Sequence, residues 1–396
     1  MQPRLNRVTF FLFLVGFLSP QITKAQTSDA IQVTVSPDKG VRFQSADGFM
    51  EFRLGFRLQQ QVMLTQLLTE NGSVKGAFLI RRARTHFRGS LFYKKLDYFV
   101  QISFDRGNVN LLNAEFRWKP DAYTMISFGQ FFPPTFRQFQ TVSKNLQMVD
   151  RSNVTRFFFT NYDLGVSLRR TIPVADNFQI KTAAAITHGE GANTATAPGN
   201  WAYMGRIEIL PFGAFVAGGD YSESDLAGER SPKLSIGTAY YKNSDAYTKF
   251  GNTVWDGFKD DITDISADFV FKYAGFSLLA EYINREVNNE VLVLNDAEPP
   301  YIAKITTANG WYAQAGKMLS PQLEPTIRIS YLNPNNYRQN LQNKFKNQAK
   351  IAVGINYFFM KHSIKWQNQL GLVTEEYEQT GQTQFLELLT QFTLSF

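Results

Sequence analysis

AFLIRRARTHFRGSLF, residues 77–92, alternates so strictly that Arg82, Arg84, His86 and Arg88 fall on one side of a strand and Ala77, Leu79, Ala83, Thr85, Phe87 and Leu91 on the other. Side chains on a strand alternate with period two, so the three guanidinium groups stand roughly 7 Å apart along one wall. That wall faces water and suits an anion, while the opposite wall is apolar. Arg81 falls on the apolar side, either because it snorkels at an interface or because the register slips by one residue there. A soluble sheet and a lipid-embedded one both produce such a strand, so the rest of the chain decides what the apolar wall meets.

The alternation recurs in runs of about ten residues separated by turn-rich spacers, the pattern of a transmembrane β-barrel. Met50, Phe52, Leu54, Phe56 and Leu58 share one face of residues 49–61, and Glu51, Arg53, Arg57, Gln59 and Gln61 share the other. Phe116 and Trp118 oppose Glu115, Arg117 and Lys119, and Leu164, Val166 and Leu168 oppose Asp163, Ser167 and Arg169. Such runs predict an all-β fold, a transmembrane antiparallel β-barrel of roughly 16 strands, even in number as in single-chain bacterial barrels. No stretch approaches the 18 or so uninterrupted apolar residues of a helical span. Short links at 93–95 and 119–122 are expected on the periplasmic side. Longer ones at 105–110, 222–232 and 246–264 are expected on the outer side.

The ends of the chain agree with export. Arg4 and Arg7 precede an apolar run from Val8 to Leu18 and a small residue, Ala25, which predicts a cleaved signal over residues 1–25. Residues 26–48 then form a short periplasmic lead-in, and 49–396 form the barrel. Losing Arg4, Arg7 and Lys24 lowers the formal charge from +7 to +4, and Gln26 at the new start, not Cys, argues against a lipoprotein. The last residue, Phe396, follows an alternating strand and is similar to the terminal aromatic read by outer-membrane insertion machinery. The expected address is the bacterial outer membrane, with its lipid as a partner. The 15% aromatic content suits the rings of amphipathic side chains at both water interfaces of a barrel.

Material for chemistry is scarce. Cysteine is absent and the three histidines, His86, His188 and His362, are far apart, so neither a thiolate site, a histidine-rich metal site nor a Ser-His triad is expected. We expect no catalytic residue, no metal and no cofactor. The basic strand is accompanied by no nucleic-acid recognition motif, and nucleic acid is not an expected partner.

RRARTHFRGSLF (81–92), LLNAEFRWKPDAYTMISFGQFFPPTF (111–136) and NYDLGVSLR (161–169) together resemble the phosphate-selective porin O and P family. Its members carry an arginine-rich second strand and a Gly-Gln-Phe motif followed closely by proline, here Gly129, Gln130, Phe131 and Pro133. Residues 35–59 are similar to that family's lead-in and first strand. The resemblance implies a trimeric 16-stranded channel that passes phosphate or polyphosphate along an arginine ladder, matched here by Arg82, Arg84 and Arg88. The family's central-site lysines are not placed by these motifs. In general porins the link after strand five folds inward and narrows the pore. Here that link, 131–161, carries Arg137, Lys144, Arg151 and Arg156 against Asp150. It is expected to be a constriction loop, with an external cap or a trimer contact as alternatives.

Inward-facing cations are densest in the first third of the barrel, where Arg53, Arg57, Arg82, Arg84, Arg88, Arg117 and Lys119 are the expected pore-lining, anion-binding residues. Guanidinium donors match two oxygens of an oxyanion at once. For Arg117 beside Glu115, pairing within the wall is the competing role. The sequence thus predicts an outer-membrane channel for passive diffusion of small inorganic anions, and the resemblance implies phosphate-type oxyanions and a homotrimer. The alternatives are a broad, non-selective diffusion porin and a closed structural or secretion-associated barrel.

Overall fold

A computed structural model describes residues 31–36, 40–69, 72–160, 162–194, 201–250, 253–288, 293–294, 302–303, 307–334 and 345–396; the expected signal, 1–25, lies outside them. The chain opens with a hairpin of β1, Gln32–Ser36, and β2, Gly40–Gln44. Five long strands follow: β3, Glu51–Leu67; β4, Val74–Leu91; β5, Leu96–Ser103; β6, Asn110–Trp118; and β7, Thr124–Phe131. The next link contains two short helices, α1 at Arg137–Gln140 and α2 at Asn153–Phe157. Then come β8, Asp163–Ala175; β9, Phe178–Thr187; β10, Ala202–Leu210; β11, Lys233–Phe250; β12, Thr253–Tyr273; and β13, Phe276–Val287. Two two-residue strands, β14 at Val293–Leu294 and β15 at Ile302–Ala303, pair only with each other. The wall finishes with β16, Ala308–Lys317; β17, Leu323–Pro334; β18, Phe345–Met360; β19, Ile364–Tyr377; and β20, Gly381–Ser395.

β3 to β13 and β16 to β20 form a closed 16-stranded antiparallel barrel, because β20 returns to pair with β3. The seam ends where the backbones of Phe56 and Phe396 exchange hydrogen bonds of 2.9 and 3.0 Å. Closure leaves no unpaired wall edge, the condition for β-structure to cross lipid. The faces are inside out relative to a soluble protein. Phe116, Trp118 and Phe128 are more than half exposed on the outer face, whereas their neighbours Glu115 and Ser127 are buried inside. β2 pairs with the first residues of β3, placing Val41 opposite Leu54 and Gln44 opposite Glu51, so β2 and β20 lie end to end along one edge of β3.

Three sequence expectations need correction. A β-bulge at Arg81 sets Gln59 opposite Arg82 but Gln60 opposite Ile80. The extra residue flips the faces beyond it, so Phe78 and Ile80 point outward while Ala77 and Leu79, expected on the apolar side, share the inward face with Gln61. Residues 222–232 lie at the same barrel end as the tight turn 92–95, not opposite it, because an even number of strand crossings, β5 to β10, separates the link after β10 from the turn after β4. Residues 246–264 are mostly strand, as β11 and β12 run 18 and 21 residues, about twice the length needed to cross a bilayer.

The apolar core sits inside the wall. Phe136, Phe139, Val154 and Phe158 from the link after β7 pack with Val270, Leu279, Ile283, Ala308, Tyr312 and Leu332 from β12, β13, β16 and β17. Leu210 and Phe215, from the end of β10 and the link after it, complete the cluster.

Candidate functional site

The site begins with register. β3 and β4 pair so that Arg53 is opposite Arg88 and Arg57 opposite Arg84, with Gly55 and His86 between them. A side chain on Gly55 would start 2.2 Å from the His86 ring, so glycine is what lets the imidazole lie across β3. Like charges placed directly opposite each other destabilise a sheet by roughly 0.2–1 kcal/mol. The wall therefore carries repulsion that something other than the two strands relieves.

Partners relieve part of it. Arg84 donates to the Asp105 carboxylate at 2.7 and 3.1 Å. Arg82 donates to Gln59 Oε1 at 3.0 Å and has Asp150 at 4.0 Å. Arg81, which the bulge turns inward, pairs with Asp150 at 3.0 Å. Arg53 pairs with Glu51 and Lys119 with Asp97, while Arg117 reaches Glu115 at 2.7 Å. Arg57 donates to Ser143 Oγ at 3.0 Å. Arg88 and Arg117 lie 4.7 and 5.2 Å from the centroid of the same ring, Phe99. Among the described residues Arg57, Arg88, Arg151 and Arg169 have no carboxylate within ion-pair distance.

The link after β7 supplies the other side. Arg137 forms an ion pair with Asp268, donates to Ser235 Oγ at 2.8 Å and to the Asp220 carbonyl at 3.1 Å, and its backbone N–H donates to Glu281 at 2.6 Å. It is an anchor to β11, β12 and β13, not a residue facing open space. Gln147 donates to Ser277 and Glu324 at 2.8 and 2.7 Å, and Lys365 and Asn356 donate to the Leu146 and Gln147 carbonyls at 2.6 and 2.8 Å. Arg328 holds the Asp150 carbonyl at 2.9 and 3.0 Å. The link is thus bonded to polar-face residues of β3, β4, β11 to β13 and β17 to β19. Residues 216–223, arriving from the tight-turn end, meet it: Glu223 accepts from Gln138 and from the Gln147 backbone at 2.9 and 2.7 Å. Lys144 lies on the single turn Ser143–Asn145, next to Ser143 but not itself in the lining of the cavity described next.

Between the link and the β3 to β8 wall is a cavity of about 620 Å³. Its lining contains nine arginines, Arg57, Arg81, Arg82, Arg84, Arg88, Arg117, Arg151, Arg156 and Arg169, and one carboxylate, Glu115. A space of about 290 Å³ sharing Arg88, Phe99 and Arg117 continues toward the tight-turn end and adds Arg53, Lys94 and Lys119 against Glu51 and Asp97. Another, of about 260 Å³, shares Arg169 and Gln140 and adds Arg170, Lys181 and Arg206 against Glu208. Of the residues expected from sequence, Arg57, Arg82, Arg84, Arg88, Arg117, Arg151 and Arg156 meet around the central cavity, Arg53 and Lys119 sit at its mouth, and Arg137 and Lys144 stand apart. The sequence reading missed Arg81, whose signal was the doubled arginine breaking the alternation, and gave Arg169 no site role. A cationic, low-dielectric concavity focuses field and concentrates anions.

Asp150 is the acid at the edge of this field. Burial pushes its carboxyl up, but the Arg81, Arg82 and Arg156 guanidiniums outweigh burial and hold it below the usual carboxylate range.

Among curated proteins nothing matches the chain. Among solved structures, the anion-selective porin from Comamonas acidovorans superposes with a TM-score of 0.54 at 10% identity, over 88% of this chain and 100% of that one. The loop-deleted OmpT of Vibrio cholerae gives 0.51 at 12% identity, over 86% and 99%. The outer membrane channel DcaP of Acinetobacter baumannii gives 0.51 at 10%, over 87% and 97%. At these identities the likeness is one of fold. The profile described as phosphate-selective porin O and P matches residues 52–394. Since that match runs from the first barrel strand to the last, the chain belongs to the phosphate-selective porin O and P family and to the bacterial outer membrane.

Proposed function

We propose that this outer-membrane channel carries small anions by passive diffusion, with phosphate-like oxyanions as the preferred class, and that it assembles as a homotrimer. One observation carries the anion reading: a central cavity with nine arginines against one glutamate, in which Arg57 stands directly opposite Arg84, and Arg88 opposite Arg53 at the mouth. Passing anions relieve the repulsion, and fixed guanidinium donors replace the hydration an oxyanion gives up. The link after β7 is read as the constriction, leaning on β11 to β19 and leaving open the side that carries the arginines. Barrel and family favour a channel over an enzyme.

The test is electrical. Purified protein is inserted into a planar bilayer, single-channel conductance and reversal potential are recorded under a potassium chloride gradient, and phosphate is then titrated. The expected result is a reversal potential on the anion side, with chloride current blocked by phosphate and the block weakened in Arg57→Ala and Arg84→Ala. A large unselective current would make this a broad diffusion porin. A second reading, a closed structural or secretion-associated barrel, draws on the packing of residues 216–223 against the link after β7, and silence in repeated insertions would select it. Light scattering in detergent is expected to give the mass of three copies.

A further inference from the structure

The central cavity has two unlike sides. One is the arginine wall of β3 and β4. The other is aromatic: Phe132 stacks on Phe139 with centroids 5.6 Å apart, Phe139 lies 4.7 Å from Phe159, and Tyr162 meets Phe132 edge-on at 5.2 Å. All four line the cavity. Phe159 is 48% exposed although it belongs to a segment otherwise packed inside the wall. An apolar ring presented to water is unfavourable unless something covers it. The cavity volume of about 620 Å³ falls within the roughly 300–1,000 Å³ typical of sites for small organic molecules.

We infer that the cavity accepts organic anions in which the charged group is attached to a flat apolar body, aryl carboxylates and aryl phosphates, and prefers them to the bare oxyanion. The inference rests on the anion reading above. The anionic group takes the guanidinium donors of Arg57 and Arg88, which face no carboxylate among the described residues, and the ring lies against Phe159 and its aromatic neighbours, removing apolar surface on both partners from water.

The experiment compares ions that share a head group. Half-blocking concentrations for chloride current are measured for phenyl phosphate against inorganic phosphate and for benzoate against acetate. Calorimetric titration of the same four ions into the detergent-solubilised protein gives binding independent of conduction. Phenyl phosphate and benzoate are expected to act at concentrations on the order of tenfold lower than their partners. Phe159→Ala is expected to close most of that gap and Phe159→Tyr to keep it. Equal potency of aryl and bare ions, with an anion-side reversal potential, overturns the aryl preference and leaves the anion channel standing. An unchanged gap in Phe159→Ala overturns it too. Aryl preference in calorimetry without anion-selective current supports the site while removing the channel reading.

Discussion

Arg57 and Arg137 are both buried guanidiniums, but their neighbours ask opposite things of them. The Arg137 side chain pairs with Asp268 and lies 3.6 Å from Glu208, both of which also pair with Arg206, so removing it leaves two buried carboxylates to one guanidinium. Arg137→Met is expected to destabilise the folded barrel by about 3–5 kcal/mol, measured as the shift in denaturant unfolding in detergent. Arg57 faces Arg84 and bonds only to Ser143 among the described residues. Arg57→Gln removes a like-charge contact, so stability is expected to stay within about 1 kcal/mol of the parent while the reversal potential moves toward zero. A large loss of stability there would mean that the wall arginines are structural. Much of this residue-scale pattern was legible in sequence, since period-two alternation alone put Arg53, Arg57, Arg82, Arg84 and Arg88 on one face. Arg81 was not, because a bulge adds one residue to one strand and depends on the partner strand's register.

At the scale of elements, the strands were readable and the links were not. Strands declare themselves by local alternation, whereas the link after β7 is held by bonds such as Lys365 to Leu146 and Arg137 to Asp268, whose members lie more than a hundred residues apart. One trace was available: Val270, Leu279 and Ile283 are apolar residues on faces that should be wet, and each turns out to cover part of that link. Link length was a poor guide to side; the parity of strand crossings decides it, and it places 222–232 with the tight turns. The link's docking also carries an acid signature. Because the docked Asp150 carboxyl is held below its free value, about 4, its contribution is fully present above that pH and is lost as pH falls further, toward the docked value. Single-channel conductance is expected to show a step below about pH 4 that depends on Asp150. Asp150→Asn is expected to show the altered conductance already at pH 7 and to lose the acid step. An acid step that persists unchanged in Asp150→Asn would rule out this pairing as the latch.

For the whole molecule, closure depends on β20 meeting β3 beside β2. Gly40 has φ +75, and a Cβ there would lie 2.2 Å from the Leu54 carbonyl oxygen and 3.2 Å from the carbonyl carbon of Phe396. Gly40→Val is expected to cost about 1–3 kcal/mol and to lower the fraction of heat-modifiable folded barrel seen by gel mobility, with conductance of the surviving channels unchanged. The hairpin can reach β3 soon after synthesis, since Gln44 and Glu51 are close neighbours in sequence, whereas β20 arrives only after the full circuit and with a far larger loop-closure cost. β2 fills the first few positions of that edge, so it acts as a doorstop for β20: the backbone at Phe396 abuts Gly40.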